Sequence, residues 1–117
     1  MWSVEFAQDF APEAKALPEE TRQELASQLR ILRMLGPQAK RPHVDTLKGS
    51  KHANMKELRF SAAGGVWRVA FAFDPARSAI LLVAGDKSGV SEKTFYKRLI
   101  AVADKRFDKH LRNMQGR

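Results

Sequence analysis

There is no cysteine in this chain of 117 residues, which excludes disulfide scaffolds, thiolate nucleophiles and cysteine-ligated zinc. Tyrosine is almost as scarce, with Tyr96 alone, and the three histidines His43, His52 and His110 lack ligand spacing, so no metal site or cofactor is expected. No apolar run is long enough to cross a bilayer, and the first ten residues, MWSVEFAQDF, carry acids where a signal peptide would be apolar. A soluble cytoplasmic protein without membrane contact is the expectation. Glycine-rich phosphate loops, nucleophile elbows, internal repeats and low-complexity tracts are also missing.

What the chain does have is positive charge, unevenly placed. Residues 1–39 hold four Lys/Arg against six Asp/Glu, whereas residues 40–117 hold seventeen against seven, so −2 and +10 combine to the net +8. A basic field of that kind favours polyanions, with nucleic acid first and an acidic protein second. The length fits one domain, residues 1–117, large enough to bury an ordinary core.

Residues 56–87 carry the strongest pattern. Trp67, Val69, Phe71 and Phe73 alternate with Arg68, Ala70 and Ala72, and Leu58 and Phe60 do the same before them, as half-buried strands require. The glycines between Ser61 and Gly65 supply a hairpin turn. Centred there, the hairpin pairs Phe60 with Trp67, Leu58 with Val69, and Arg59 with Arg68. Two arginines in cross-strand register repel. Either an anion offsets them, or Glu57 on the same face neutralises one, or both splay into solvent. A second turn, Asp74-Pro75-Ala76-Arg77, leads into Ala79–Ala84, an apolar run expected to be covered on both faces. The antiparallel return brings Lys87 to the end of the sheet where Arg59 and Arg68 stand.

Trp2, Val4 and Phe6 alternate as a short strand, and residues 8–16 form one or two helical turns behind Asp9 as cap. Pro18 opens a helix whose stripe of Leu25, Leu29, Leu32 and Leu35 ends at Gly36-Pro37. Residues 36–54 lack periodicity and form a long basic connection with Lys48, Lys51 and His52 as RNA-binding candidates, His52 doubling as a proton carrier or standing as a solvated loop residue. Ser91 caps a last helix that docks through Phe95, Leu99 and Phe107, with Lys93 and Lys97 among its exposed cations. Tyr96, one step off that stripe, either points towards Lys87 or packs at the rim with its hydroxyl exposed.

The order of these motifs, Leu47-Lys48-Gly49, Lys56-Glu57-Leu58-Arg59, Trp67-Arg68-Val69, Ala79–Ala84 and Gly85-Asp86-Lys87, resembles the RelE/ParE superfamily of bacterial toxins, and within it the HigB-like branch. The resemblance runs from about Leu17 to Leu111. It implies an α+β, RelE-like fold: an antiparallel or mixed sheet of about four strands, with N-terminal helices and a C-terminal helix packed on it. It also implies a toxin that cuts messenger RNA in the ribosome and is restrained by a cognate antitoxin, commonly a helix-turn-helix protein that alone reaches DNA. Carried over by position, Arg68 clamps the scissile phosphate, Lys87 neutralises or protonates, Arg59 is a further catalytic cation, Lys56 serves as the general base if burial lowers its pKa, and Tyr96 stacks on or orients a base. Lys56 falls on the apolar face of its strand, which weighs against it. Asp86 stands where such toxins often carry a second lysine. A ParE-like inhibitor of a protein such as gyrase, and a catalytically silent RNA-binding module, are the competing readings.

Overall fold

The structure is a computed structural model that describes residues 1–116. Its strands are β1 (Ser3–Phe6), β2 (Val44–Thr46), β3 (Met55–Ala62), β4 (Gly65–Phe73) and β5 (Ser78–Asp86). Three helices, α1 (Phe10–Lys15), α2 (Glu19–Leu35) and α3 (Glu92–Gln115), complete the α+β architecture. The sheet runs in the order β1-β5-β4-β3-β2, antiparallel except for the parallel pairing of β1 with β5. It is therefore mixed and five-stranded rather than four-stranded. The additional strand, β2, interrupts what the sequence presents as one long loop. Three residues are too few to show a period, and β2 exists because its backbone pairs with Lys56, Glu57 and Leu58.

The expected hairpin register is observed: Phe60 pairs with Trp67, Leu58 with Val69 and Arg59 with Arg68. The turn itself is tighter than the glycine pair suggests. Ala63 and Gly64 take the positive φ values, 51° and 77°, while Gly65 already belongs to β4. At the next turn Arg77 N–H donates to the Asp74 carbonyl over 2.9 Å and the Asp74 carboxylate accepts from Ser78 N–H over 3.0 Å, as the Asp-Pro signal requires.

Both faces of the sheet centre are covered. The α2 stripe buries Leu25, Leu29 and Leu32 but leaves Leu35 exposed. From the other side α3 buries Phe95, Leu99, Ala103 and Phe107. Ser91 caps α3 by accepting from Thr94 N–H, whereas the Asp9 side chain makes no cap bond at α1 and instead pairs with Lys109. Gly36 ends α2 at φ 55°, where an added Cβ would lie 2.4 Å from the Trp2 indole nitrogen. The apolar run in β5 is only half covered. Ala79, Ile80, Leu81 and Leu82 are fully buried, but Val83 and Ala84 are half-buried, because β1 pairs with β5 only as far as Leu81. Among the described residues no helix is long and apolar enough to cross a membrane.

Candidate functional site

Strand alternation sends Glu57 and Arg59 of β3, and Arg68 of β4, to the face of the sheet that α3 covers. Glu57 and Arg68 are buried there, 4% and 6% exposed, which is unusual for charged residues and demands partners. Each finds one. Arg59 Nη1 donates to Glu57 Oε2 over 2.9 Å, and the Tyr96 hydroxyl donates to Glu57 Oε1 over 2.8 Å. Arg68 Nε donates to the Tyr96 oxygen over 3.2 Å and lies 3.7 Å from Glu57 Oε1, while Arg68 Nη1 donates to the Trp67 carbonyl. The repulsion between the facing arginines is thus offset inside the protein by Glu57, the second of the three readings the alternation allowed.

Tyr96 reaches this cluster because it sits one residue past Phe95, which packs against Gly85. A Cβ at Gly85 would lie 2.8 Å from the Phe95 ring, so the missing side chain lets α3 approach the sheet there. The Tyr96 phenol is half-buried and bonded on both sides rather than exposed at a rim. Burial, and then its bond to Glu57, pushes its pKa above the ordinary tyrosine value.

Lys87 arrives at the same end of the sheet as its backbone N–H donates to the Val66 carbonyl, one residue beyond the Trp67–Asp86 pair. Its ammonium donates to Glu92 over 3.0 Å and stands 6.0 Å from the Tyr96 ring centroid. The Glu92 carboxyl is held below the usual range, first by that Lys87 bond and further by the fields of Arg68 and Arg59, so the three cations act on one region. Asp86 plays a different part from the lysine expected there. Its carboxylate accepts from Val66 N–H and Ser88 N–H, and the Ser88 bonds foremost hold its pKa low, which locks the turn leading to α3.

The structure brings together Arg59, Arg68, Lys87 and Tyr96, and leaves Lys56 out, on the opposite face and paired with Phe71 and Thr46 in the ladder. Lys93 and Lys97 are exposed on α3 on either side of Tyr96, and Lys48 is exposed in the connection before β3. Lys51 and His52 are tied down: both contact Asp108, His52 over 2.8 Å, and Ser50 and the Lys51 backbone bond Asp104. The Lys51 bond foremost lowers the Asp108 pKa. His52 also packs edge-on to Phe107, with centroids 4.9 Å apart. It fastens the loop to α3. The residue that sequence reasoning undervalued is Glu57. Its signal was present in the i, i+2 spacing to Arg59 opposite Arg68, but only the position of Tyr96 makes it the hub.

These elements define an α+β protein in which a mixed five-stranded sheet with a cationic end is covered by one long helix. Residues 12–108 match the family described as Phage derived protein Gp49-like (DUF891), and the chain belongs to that family. It is 44% identical over 96 residues to "Putative toxin HigB2" and 43% identical over 101 residues to "Putative toxin HigB3", both of Mycobacterium tuberculosis. The matched parts are 81% and 86% of this chain; the chain spans about half of the first relative (47%) and 86% of the second. An arginine double mutant of E. coli toxin RelE in its free state superposes with TM-score 0.61 at 12% identity, covering 86% of this chain and 94% of that one, a likeness of fold. The resemblance to the RelE-type toxins, HigB branch, is borne out.

Proposed function

We infer that the chain is the toxin of a toxin–antitoxin pair, an endoribonuclease that stops translation by cutting messenger RNA on the ribosome. The observation that carries this reading is the carboxylate of Glu57 held among Arg59, Arg68 and the Tyr96 hydroxyl, with Lys87 at the margin.

Cleavage by the neighbouring ribose 2′-hydroxyl needs a base for its proton, cations for the crowded phosphorane and an acid for the departing 5′-oxygen. Glu57, buried with both carboxylate oxygens engaged, holds Arg59, Arg68 and Tyr96 in place, and the 2′-hydroxyl proton leaves to water. As it does, the 2′-oxygen bonds to phosphorus, and the phosphorus–5′-oxygen bond breaks to leave a 2′,3′-cyclic phosphate and a 5′-hydroxyl. Arg68 and Arg59 present planar guanidinium groups suited to two phosphate oxygens. Lys87, whose side chain is 21% exposed against 7% for Arg68, meets the leaving oxygen from the open side and donates to it. Tyr96 orients Glu57 and offers a ring face for the adjacent base. Lys93, Lys97 and Lys48 extend the basic approach for the message, and Lys51 and His52 keep that approach in place. Ribosome and message are the proposed partners, the cytoplasm the proposed location, and DNA is reached only through a helix-turn-helix antitoxin.

Mapping of 5′ ends in cellular messages after induction tests the reading. Cuts in phase with codons, lost in Arg68→Ala, are expected; intact messages during growth arrest would overturn it.

A further inference from the structure

The half-covered strand β5 leaves an edge unused. β1 and β4 flank β5, but the β1 pairing stops at Leu81, so among the described residues 83–86 have no strand on that side. Unpaired strand edges bind other chains unless they are blocked. No proline lies in this one, and Val83, Ala84 and Gly85 are half-exposed with Val90 beside them 40% exposed; the edge begins just past Leu82, where the ladder with β4 shifts register and Arg106 takes the Leu82 carbonyl. Beside the edge runs a groove of about 240 Å³ between β5 and α3, floored by Val83, Gly85, Phe95, Leu99 and Val102. At Val102 a second groove of about 580 Å³ continues along α3 past Lys105 to Arg112.

The wall of this double groove is cationic. Arg98, Lys105 and Arg112 recur every seventh residue, so they line one side of α3 over about 21 Å. None of the three has an acidic partner among the described residues. The two acids in the lining are already engaged, Asp9 with Lys109 and Asp86 with backbone N–H groups of Val66 and Ser88.

We propose that the open edge of β5 at residues 83–86 and the groove beside it receive an extended acidic segment of the antitoxin, which adds a strand to the sheet. This rests on the toxin–antitoxin reading above. The edge supplies main-chain pairing, the apolar floor takes every second side chain, and the Arg98-Lys105-Arg112 wall takes carboxylates. A nucleic acid would use the cations but neither the backbone edge nor the apolar floor, so a polypeptide is the better occupant. Arg68 pairs with Gly85 from the β4 side and Lys87 follows the edge, so a strand seated here lies across β5 from the cationic cluster, one strand removed from Arg68.

The test uses the full chain and its purified cognate antitoxin. In the wild-type complex, hydrogen exchange at those backbone amides of 83–86 that face away from β4 slows. The triple variant Arg98→Glu/Lys105→Glu/Arg112→Glu binds antitoxin roughly tenfold or more weakly yet still arrests growth, because none of the three belongs to the cationic cluster. Unchanged affinity together with unprotected 83–86 amides overturns the proposal. So does a triple variant that keeps its antitoxin affinity but loses 30S-subunit binding, which would assign the surface to RNA. Were the wild-type chain to cut no message, the endonuclease reading would fail while the exchange and affinity measurements still decided this one.

Discussion

The Tyr96 hydroxyl donates to the Glu57 carboxylate over 2.8 Å, joining residues 39 positions apart and tying the first turns of α3 to the middle of β3. Tyr96 is the sole tyrosine, so its ionisation is read alone by phenolate absorbance. Burial foremost, and the Glu57 bond next, raise its pKa, so the fold favours the neutral phenol. Stability from that preference is fully present below the ordinary tyrosine value of about 10 and is lost as pH rises through the higher folded value. A midpoint above the ordinary value is expected, and Glu57→Gln should bring it only part of the way back, since burial remains. A midpoint at the ordinary value would contradict the buried geometry.

Removing Glu57 should be costly in itself. Glu57→Ala leaves Arg59 and Arg68 facing each other, with Arg68 buried and its opposite charge gone, and breaking such a buried pair costs about 3–5 kcal/mol. Urea unfolding measures it. A loss under about 1 kcal/mol would mean that water already reaches the pair.

Lys87→Ala separates chemistry from folding. Its partner Glu92 is 72% exposed and solvent screens the pair, so stability should hardly change. Loss of a cation aimed at the leaving oxygen should lower the cleavage rate by about 10²–10³. Primer extension on programmed ribosomes, alongside thermal unfolding, reads both. Undiminished cleavage would remove Lys87 from the site.

The Lys51–Asp108–His52 clasp should open with acid. The Lys51 bond foremost lowers the Asp108 pKa, so the contribution is present above the unfolded aspartate value of about 3.9 and is lost as pH falls through the lower folded value. Asp108→Asn should mimic that loss at neutral pH. Faster tryptic cleavage after Lys48 and Lys51 is the expected sign, and unchanged cleavage kinetics would show that Asp104 alone holds the loop.

Gly36→Ala meets two obstacles, a φ of 55° and an indole within 2.5 Å of the new Cβ. Destabilisation of about 1–3 kcal/mol is expected. Its absence in a denaturation curve would mean that Trp2 moves aside freely.

Much of this architecture is written locally. Period-two alternation, the Asp74-Pro75 turn and the α3 stripe were legible because each depends on neighbours within a few residues, and hairpin closure then fixes the Arg59–Arg68 register. The strand β2 was not, because three residues carry no period and its reason lies in the edge of β3. Likewise Ala79–Ala84 reads as a uniform buried strand, yet its second half is half-exposed through the shortness of β1, some seventy residues earlier in the chain.

The candidate site divides in the same way. Sequence by itself determined that Arg59, Arg68 and Lys87 converge at one end of the sheet and that Lys56 turns away, since alternation and antiparallel return leave no other arrangement. Only the tertiary structure decided what those cations are bonded to. Glu57 becomes the hub, and Tyr96 a bonded phenol instead of a rim residue, because α3 packs close enough at Gly85 to carry the hydroxyl across to β3. Helix position and sheet register are set by different parts of the chain, and a hydrogen bond between them exists only once both are fixed.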